Sequence, residues 1–73
     1  MANFEAKTEV SGSVWKIVTE VGQKIEPGGT LMIIESMKME IPVICEEGGT
    51  VQKFLVDETA AVNEGQAVAI LSK

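Results

Sequence analysis

Short apolar stretches separated by glycine-containing turns recur along this chain. The segments GSVWKIV and GTVQKFLV, starting at Gly12 and Gly49, are rich in β-branched and aromatic residues, as is typical of strands. TLMIIES and AVAILSK, starting at Thr30 and Ala67, have the composition of short buried strands. The intervening IEPGG and VNEGQ carry residues that favour turns. The pattern therefore predicts an all-β domain.

A helix is the alternative for the segment TLMIIESMKMEI, because Leu, Met, Glu and Lys all favour helix. Several β-branched residues lie in or next to this segment, and Pro42 disfavours the α conformation at Ile41. We therefore predict strands on both sides of the central SMKM.

The chain also repeats itself. When the sequence is shifted by 37 residues, the halves 3–36 and 40–73 align without a gap, and the apolar and glycine positions stay in register. Five aligned pairs are identical: Gly12/Gly49, Val14/Val51, Lys16/Lys53, Gly28/Gly65 and Ile33/Ile70. This repeat predicts a single domain, residues 1–73, whose halves are related by a pseudo-two-fold axis.

Residues 37–39, the sequence Met-Lys-Met, remain between the two copies. We expect them to form the tip of a hairpin, with Lys38 at its apex in solvent and near the pseudo-two-fold axis. The tip lacks the Asn, Gly, Asp or Pro residues that tight turns usually use. Because local strain tends to persist at functional sites, the pattern singles out Lys38 among six lysines as the candidate site.

Composition narrows the range of partners and compartments. The net charge is −5 and there is no Arg, so we expect neither nucleic acid nor an acidic membrane surface as a partner. The longest purely apolar run, LMII, is too short to span a membrane, and the N-terminal residues have no signal-peptide pattern. These features predict a cytoplasmic monomer.

The same composition argues against catalysis. The chain has no His, Tyr or Arg, and its eleven acidic residues are scattered, so the usual general bases and anion-binding groups are missing. The one cysteine, Cys45, excludes an intramolecular disulfide and a Cys-cluster metal site. Its neighbours PVICE indicate a strand, which predicts a reduced core residue.

The residues ESMKME, from Glu35 to Glu40, resemble the Ala/Ser-Met-Lys-Met attachment motif of the biotinyl domains of biotin-dependent carboxylases. MKMEIPV, GGTVQKFLV and VNEGQAVAIL resemble the rest of the second half of those domains. The likeness covers essentially the whole chain. With nothing appended at either end, a stand-alone bacterial member of the biotinyl/lipoyl-attachment family is expected. The resemblance implies a flattened barrel-sandwich of two four-stranded antiparallel sheets with pseudo-two-fold symmetry.

The resemblance also implies a function. Lys38 would be biotinylated by a biotin protein ligase, and the carried biotin would move carboxylate between biotin carboxylase and carboxyltransferase components. Met37 and Met39 match positions used for recognition and presentation, as do the flanking residues Glu35, Ser36 and Glu40. The protein would be a substrate and carrier, and not an enzyme.

Two alternatives remain open. Lipoyl domains share the fold, but their motif has Asp before and Ala after the lysine, so lipoate and a lipoate ligase are the second cargo and partner. A barrel-sandwich structural module without a modified lysine is the other alternative. The chain departs from the family at EVSG, Glu9 to Gly12, where a Pro-containing stretch is usual, and Trp15 could be either core or exposed for docking.

Overall fold

The computed structural model describes residues 3–73, which form eight strands in two four-stranded sheets. The strands are β1 (Asn3–Lys7), β2 (Gly12–Ile17), β3 (Lys24–Ile25), β4 (Gly29–Ser36), β5 (Met39–Cys45), β6 (Gly49–Phe54), β7 (Ala61–Val62) and β8 (Ala67–Ser72). The order β5-β4-β2-β7 forms what we call the hairpin sheet, and the order β1-β8-β6-β3 forms the terminal sheet. All neighbouring strands are antiparallel. The predicted all-β fold of two four-stranded sheets is confirmed.

No helix long and apolar enough to cross a membrane occurs among residues 3–73.

The two halves of the chain have equivalent structures. Replacing each strand of the hairpin sheet by its sequence repeat turns the order β5-β4-β2-β7 into β1-β8-β6-β3, which is the terminal sheet. The details also repeat: β2 against β4 has a bulge at Trp15, and β6 against β8 has one at Gln52, 37 residues later. The repeat in the sequence is therefore a pseudo-two-fold symmetry of the fold.

The halves interlock, because each half supplies a short strand and a loop to the other. Val14 on β2 accepts a hydrogen bond from the N–H of Thr59 at 2.7 Å, and its twin Val51 accepts one from the N–H of Gly22 at 2.7 Å. The short strands β7 and β3 likewise pair with β2 and β6 of the opposite half. Neither half can therefore complete its sheet alone.

One core lies between the two sheets. Its fully buried side chains include Leu31, Met32, Ile34, Val68 and Leu71. Cys45 is buried in the same cluster and is not in a disulfide, so the prediction that it is a core residue is confirmed.

The twin glycines that precede the central strands have a steric role. A Cβ at Gly12 would collide with the backbone carbonyl oxygen of Glu35, and one at Gly49 would lie 2.7 Å from the carbonyl oxygen of Ser72. Contacts below 3 Å to backbone atoms cannot be relieved by side-chain rotation. Glycine at these two positions lets β2 and β6 approach their neighbouring strands.

The expectation that Lys38 lies near the pseudo-two-fold axis is wrong. Strand β5 begins next to the Lys38 turn and ends at Cys45, a length of about 23 Å for seven residues. Glu47 follows two residues later and is ion-paired with Lys73. The symmetry maps the β4–β5 connection onto the paired ends of β8 and β1, near Lys73. Lys38 therefore lies at one end of a molecule about 36 Å long and 18 Å across, and its symmetry equivalent lies at the other end.

Candidate functional site: the β4–β5 hairpin

The hairpin between β4 and β5 has a two-residue turn. The strands stay paired up to Ser36 and Met39, so Met37 and Lys38 alone form the tip, and Met39 is the first residue of β5. Met37 has a φ of 52° and Lys38 a φ of 64°. Positive φ at both central residues is the signature of a type I′ turn, the connection that best matches the twist of paired strands.

This turn is strained by its side chains. Type I′ turns favour Asn-Gly, because residues with a Cβ other than Asn and Asp enter the left-handed region at a cost of roughly 1–2 kcal/mol each. Elsewhere among residues 3–73, positive φ is taken by glycine except at Thr59. The tip therefore carries two unbranched, long side chains at positions where the backbone alone would favour small residues.

The tip side chains are in solvent. Met37 is 92% exposed and Met39 is 63% exposed, and Lys38 is also exposed. Among residues 3–73 the side chain of Lys38 has no hydrogen-bond or ion-pair partner, since the one ion pair joins Lys73 to Glu47. The amine is therefore at the end of an unpartnered four-carbon stem that projects from the hairpin tip.

Two carboxylates lie below the tip on the outer face of the hairpin. Glu35 on β4 is directly opposite Glu40 on β5, and both side chains are exposed. Like charges in directly opposite positions destabilise an antiparallel pair. The twin positions in the terminal sheet hold Ser72 and Asn3, which are uncharged. The fold therefore does not require acidic residues in this row. The two glutamates occur only at the end of the molecule where Lys38 lies.

Core-facing side chains of β4 and β5 hold the hairpin in place. Ile34 and Met32 on β4, paired with Ile41 and Val43 on β5, face the core in alternation with the exposed residues. Pro42 lacks an N–H, but β5 is an edge strand, where proline is tolerated. The core side chains thus fix the register that puts Lys38 at the apex.

The structure brings the predicted site residues together at one end of the hairpin. Ser36 and Met39 form the last pair before the turn, and the pair Glu35 and Glu40 comes next. Sequence reasoning missed the support that Gly12 gives by admitting β2 against the Glu35 carbonyl. The identity of Gly12 and Gly49 in the repeat was the signal that could have revealed it.

The open question of Trp15 has an answer. Trp15 is the extra residue of the β2 bulge, is 50% exposed and lies outside the core cluster. It is therefore a surface residue of the hairpin sheet.

The arrangement suits a residue that is acylated by another protein. A free primary amine on an exposed stem can form an amide with an activated acyl group. No group of three side chains able to hold a metal ion occurs among residues 3–73. The exposure of the Lys38 amine is what such an acyl acceptor requires.

Comparison with known proteins identifies the family. The family model described as "Biotin-requiring enzyme", the biotin/lipoyl attachment family, matches residues 5–71. The chain belongs to this family. It is 39% identical over 64 residues to the biotin/lipoyl attachment protein of Bacillus subtilis, with 88% of each chain covered. It is 35% identical over 68 residues to the biotinylated protein TB7.3 homolog of Mycobacterium leprae, with 93% of this chain and 96% of that protein covered.

A solved structure contains the same fold. The chain superposes on part of the Kluyveromyces lactis urea carboxylase with a TM-score of 0.92 and 33% sequence identity, covering 99% of this chain and 6% of that one. The predicted family membership and barrel-sandwich fold are confirmed. Two of these relatives are proteins of about the same length as this chain, whereas the urea carboxylase is much longer and this chain matches a small part of it.

Proposed function

We propose that Lys38 is the attachment residue of a biotin carrier and that this chain moves carboxylate for a biotin-dependent carboxylase without catalysing a reaction itself. The observation that carries the proposal is the exposed, unpartnered Lys38 amine in a strained type I′ turn. Strain retained at one exposed turn indicates that the side chain, and not the backbone, determines the sequence there.

The attachment chemistry needs one nucleophile from this chain. The Lys38 ammonium first loses a proton, its Nζ lone pair attacks the activated acyl carbon of biotinyl-adenylate, the acyl–oxygen bond breaks to release AMP, and a second proton leaves the nitrogen. The product is an amide. Biotin when bound supplies a ureido nitrogen that carries carboxylate from a biotin carboxylase to a carboxyltransferase. A biotin protein ligase supplies the biotinyl-adenylate. The ligase also supplies the group that accepts the amine proton, since no side chain among residues 3–73 hydrogen-bonds to the Lys38 amine.

The relatives support biotin as the cargo. The Mycobacterium leprae relative is named as biotinylated, and the solved neighbour is a urea carboxylase. The name of the Bacillus subtilis relative includes lipoyl as well as biotin, so lipoate transferred by a lipoate ligase is the second candidate cargo. We assign cargo selection to Met37 and Met39, whose exposed side chains flank the acceptor, with Glu35, Ser36 and Glu40 as contact residues.

Intact-mass analysis tests the assignment. Incubation with a biotin protein ligase, ATP and biotin should add one biotinyl group to the parent, none to Lys38→Arg, and one to the matched control Lys53→Arg, which changes an exposed strand lysine. Acylation removes one positive charge, so the net charge of −5 becomes one unit more negative and the product should migrate as more acidic on a native gel. Persistent labelling of Lys38→Arg would refute the site.

Moving the lysine tests whether position matters. Met37→Lys/Lys38→Met and Lys38→Met/Met39→Lys keep the composition but move the amine, either to the first residue of the turn or onto the first residue of β5. Misplaced reacting groups can cost on the order of 100-fold in rate, so both variants should be labelled far more slowly. Labelling at the parental rate would mean that exposure alone suffices.

A further inference from the structure

The outer face of the hairpin sheet carries neighbouring apolar side chains. On β5 the residues Pro42 and Ile44 alternate with buried Val43 and Cys45, so they face outward. Register pairs Pro42 with Ile33 on β4, and Ile33 in turn pairs with Lys16 beside the Trp15 bulge on β2. We call this surface the Trp15 face; it consists of Trp15, Ile33, Pro42 and Ile44. Trp15 is 50% and Ile44 is 46% exposed.

The pseudo-two-fold supplies an internal control for this face. The four equivalent positions on the outer face of the terminal sheet are Gln52, Ile70, Glu5 and Lys7. Gln52 occupies the same bulge as Trp15, and its Nε2 donates a hydrogen bond to the Ser72 hydroxyl at 2.7 Å. The fold thus accepts polar or charged residues at three of the four positions. An indole and two aliphatic residues on the other sheet serve something other than folding.

The Trp15 face is continuous with the Lys38 site. Its nearest row, Ile33 with Pro42, lies two residues along the strands from the Glu35–Glu40 pair, which is followed by the tip. Viewed from the tip, a partner meets first the exposed amine, then two carboxylates, then the apolar side chains. The terminal sheet presents no such series, because its equivalent row is Ser72 with Asn3.

We propose that the Trp15 face is the docking surface for the ligase that acylates Lys38. The complementary ligase surface is apolar at its centre, to cover the indole and Ile44, with Lys or Arg side chains that meet Glu35 and Glu40. Aromatic side chains are over-represented among residues that dominate binding energy, and like charges juxtaposed across an interface are disfavoured. The proposal rests on the proposed acylation of Lys38 and adds which surface the ligase reads.

The length of the unmodified lysine side chain favours the ligase as the occupant of the Trp15 face, rather than the enzymes that use the acylated lysine. Before acylation the reactive nitrogen is carried by the lysine stem alone, roughly 6 Å from the Cα. A ligase must therefore bring its active site, and the protein around it, into contact with the domain surface next to Lys38. After acylation the reactive atom is farther from the domain, so an enzyme that uses the loaded arm can react from a greater distance.

The test exchanges residues between the twin faces. Trp15→Gln/Ile44→Lys gives the hairpin sheet the residues that the terminal sheet carries at the same places, so the fold should tolerate both. The matched control Gln52→Ala/Lys53→Ala changes exposed positions of the terminal sheet outside the groove that Pro42 and Ile44 line. Steady-state biotinylation with a biotin protein ligase, ATP and biotin is measured against protein concentration for the parent and both variants, with thermal melts alongside.

We expect KM for Trp15→Gln/Ile44→Lys to rise by about tenfold or more with kcat nearly unchanged, because docking contacts are made equally in the ground and transition states. The control should keep the parental KM. A small amine-reactive ester should label Lys38 equally in all three proteins, as measured by peptide mass analysis. If the double variant melts early, Ile44→Lys alone replaces it and should still raise KM.

Each other outcome is decisive. An unlabelled parent refutes the proposed acylation itself. A labelled parent with an unchanged KM in the variant refutes the docking proposal and leaves the acylation standing. A rise in KM of the same size for the terminal-sheet control also refutes the docking proposal. If sedimentation shows a parental dimer that the variant dissociates, the face belongs to a second copy of this chain and the ligase assignment is wrong.

Discussion

The two halves of this chain share a scaffold but not a surface. Val14 and Val51 are buried to the same extent in the same bulged pairing. A Cβ at Gly12 or at Gly49 would clash with a backbone carbonyl oxygen of the neighbouring strand. In contrast, the outward positions differ, with an exposed indole at Trp15 and a hydrogen-bonded amide at Gln52. Positions that repeat therefore report what folding needs, and positions that differ report what one end of the molecule does.

The twin glycines should give the largest effect. Gly12→Ala and Gly49→Ala each force a Cβ onto a backbone oxygen, and we expect each to lower the free energy of unfolding by about 2–3 kcal/mol. Only Gly12→Ala displaces Glu35, so only it should also slow biotinylation at a temperature where both variants are folded. Urea unfolding and ligase kinetics provide the measurements. If Gly49→Ala slows biotinylation equally, the structural change is not confined to the sheet that carries the substitution.

The twin valines should give a smaller and equal effect. Val14→Ala and Val51→Ala remove the same buried methyl groups, and we expect each to cost about 1.5–3 kcal/mol. Chemical denaturation of both variants measures the two values. A difference greater than twofold would show that the two sides of the core relax unequally, and that the symmetry is limited to the backbone.

A substitution in the tip turn should raise the stability of the domain, whereas the glycine and valine substitutions lower it. Met37→Asn places the residue preferred for a type I′ turn at a φ of 52°, so we expect stabilisation by about 1 kcal/mol, which raises Tm by about 4–8 °C in a domain of this size. Calorimetry provides the check. Gly28→Ala is the matched control, since it adds a Cβ at a φ of 84° in open space and should destabilise. A lower Tm for Met37→Asn would mean that Met37 packs on the tip in a way that stabilises it.

The methionine side chains should have the smallest effect on stability. Met37→Ala and Met39→Ala remove mostly exposed surface, so we expect each to change stability by less than about 0.5 kcal/mol. The combination Met37→Asp/Met39→Ala should shift acceptance from the biotin ligase toward a lipoate ligase, measured by parallel labelling assays. A large fall in Tm would place these side chains in the core, contrary to their exposure.

The fold could be predicted from the sequence because the repeat makes the buried and glycine positions visible twice. Lys38 could be assigned to a turn because it lies between two copies that each end and begin with a strand. The bulges at Trp15 and Gln52 could not be predicted, since side-chain alternation shows which residues face the core but not where two strands lose register.

The location of Lys38 relative to the symmetry axis was also beyond the sequence. Pairing of β2 with β7 joins residues about 49 positions apart, and pairing of β6 with β3 joins residues about 25 positions apart. Local propensity carries no information on such pairings. Without these pairings, the midpoint of the sequence suggests the centre of the molecule, whereas it lies at one end. Met37 and Met39 are exposed at the tip. Exposure alone does not specify a cargo, so their role in cargo selection stays a prediction.

The pairing of Asn3 with Ser72 has a consequence for tethering. Any polypeptide joined before the first strand or after the last one would leave the domain at the end that carries the Lys73–Glu47 ion pair, one molecular length from Lys38. A linker attached there sweeps the whole 36 Å body through space with the lysine as its leading point. The radius that an attached acyl group explores is then the sum of linker, body and side chain, and its effective concentration at a distant site depends mainly on the linker.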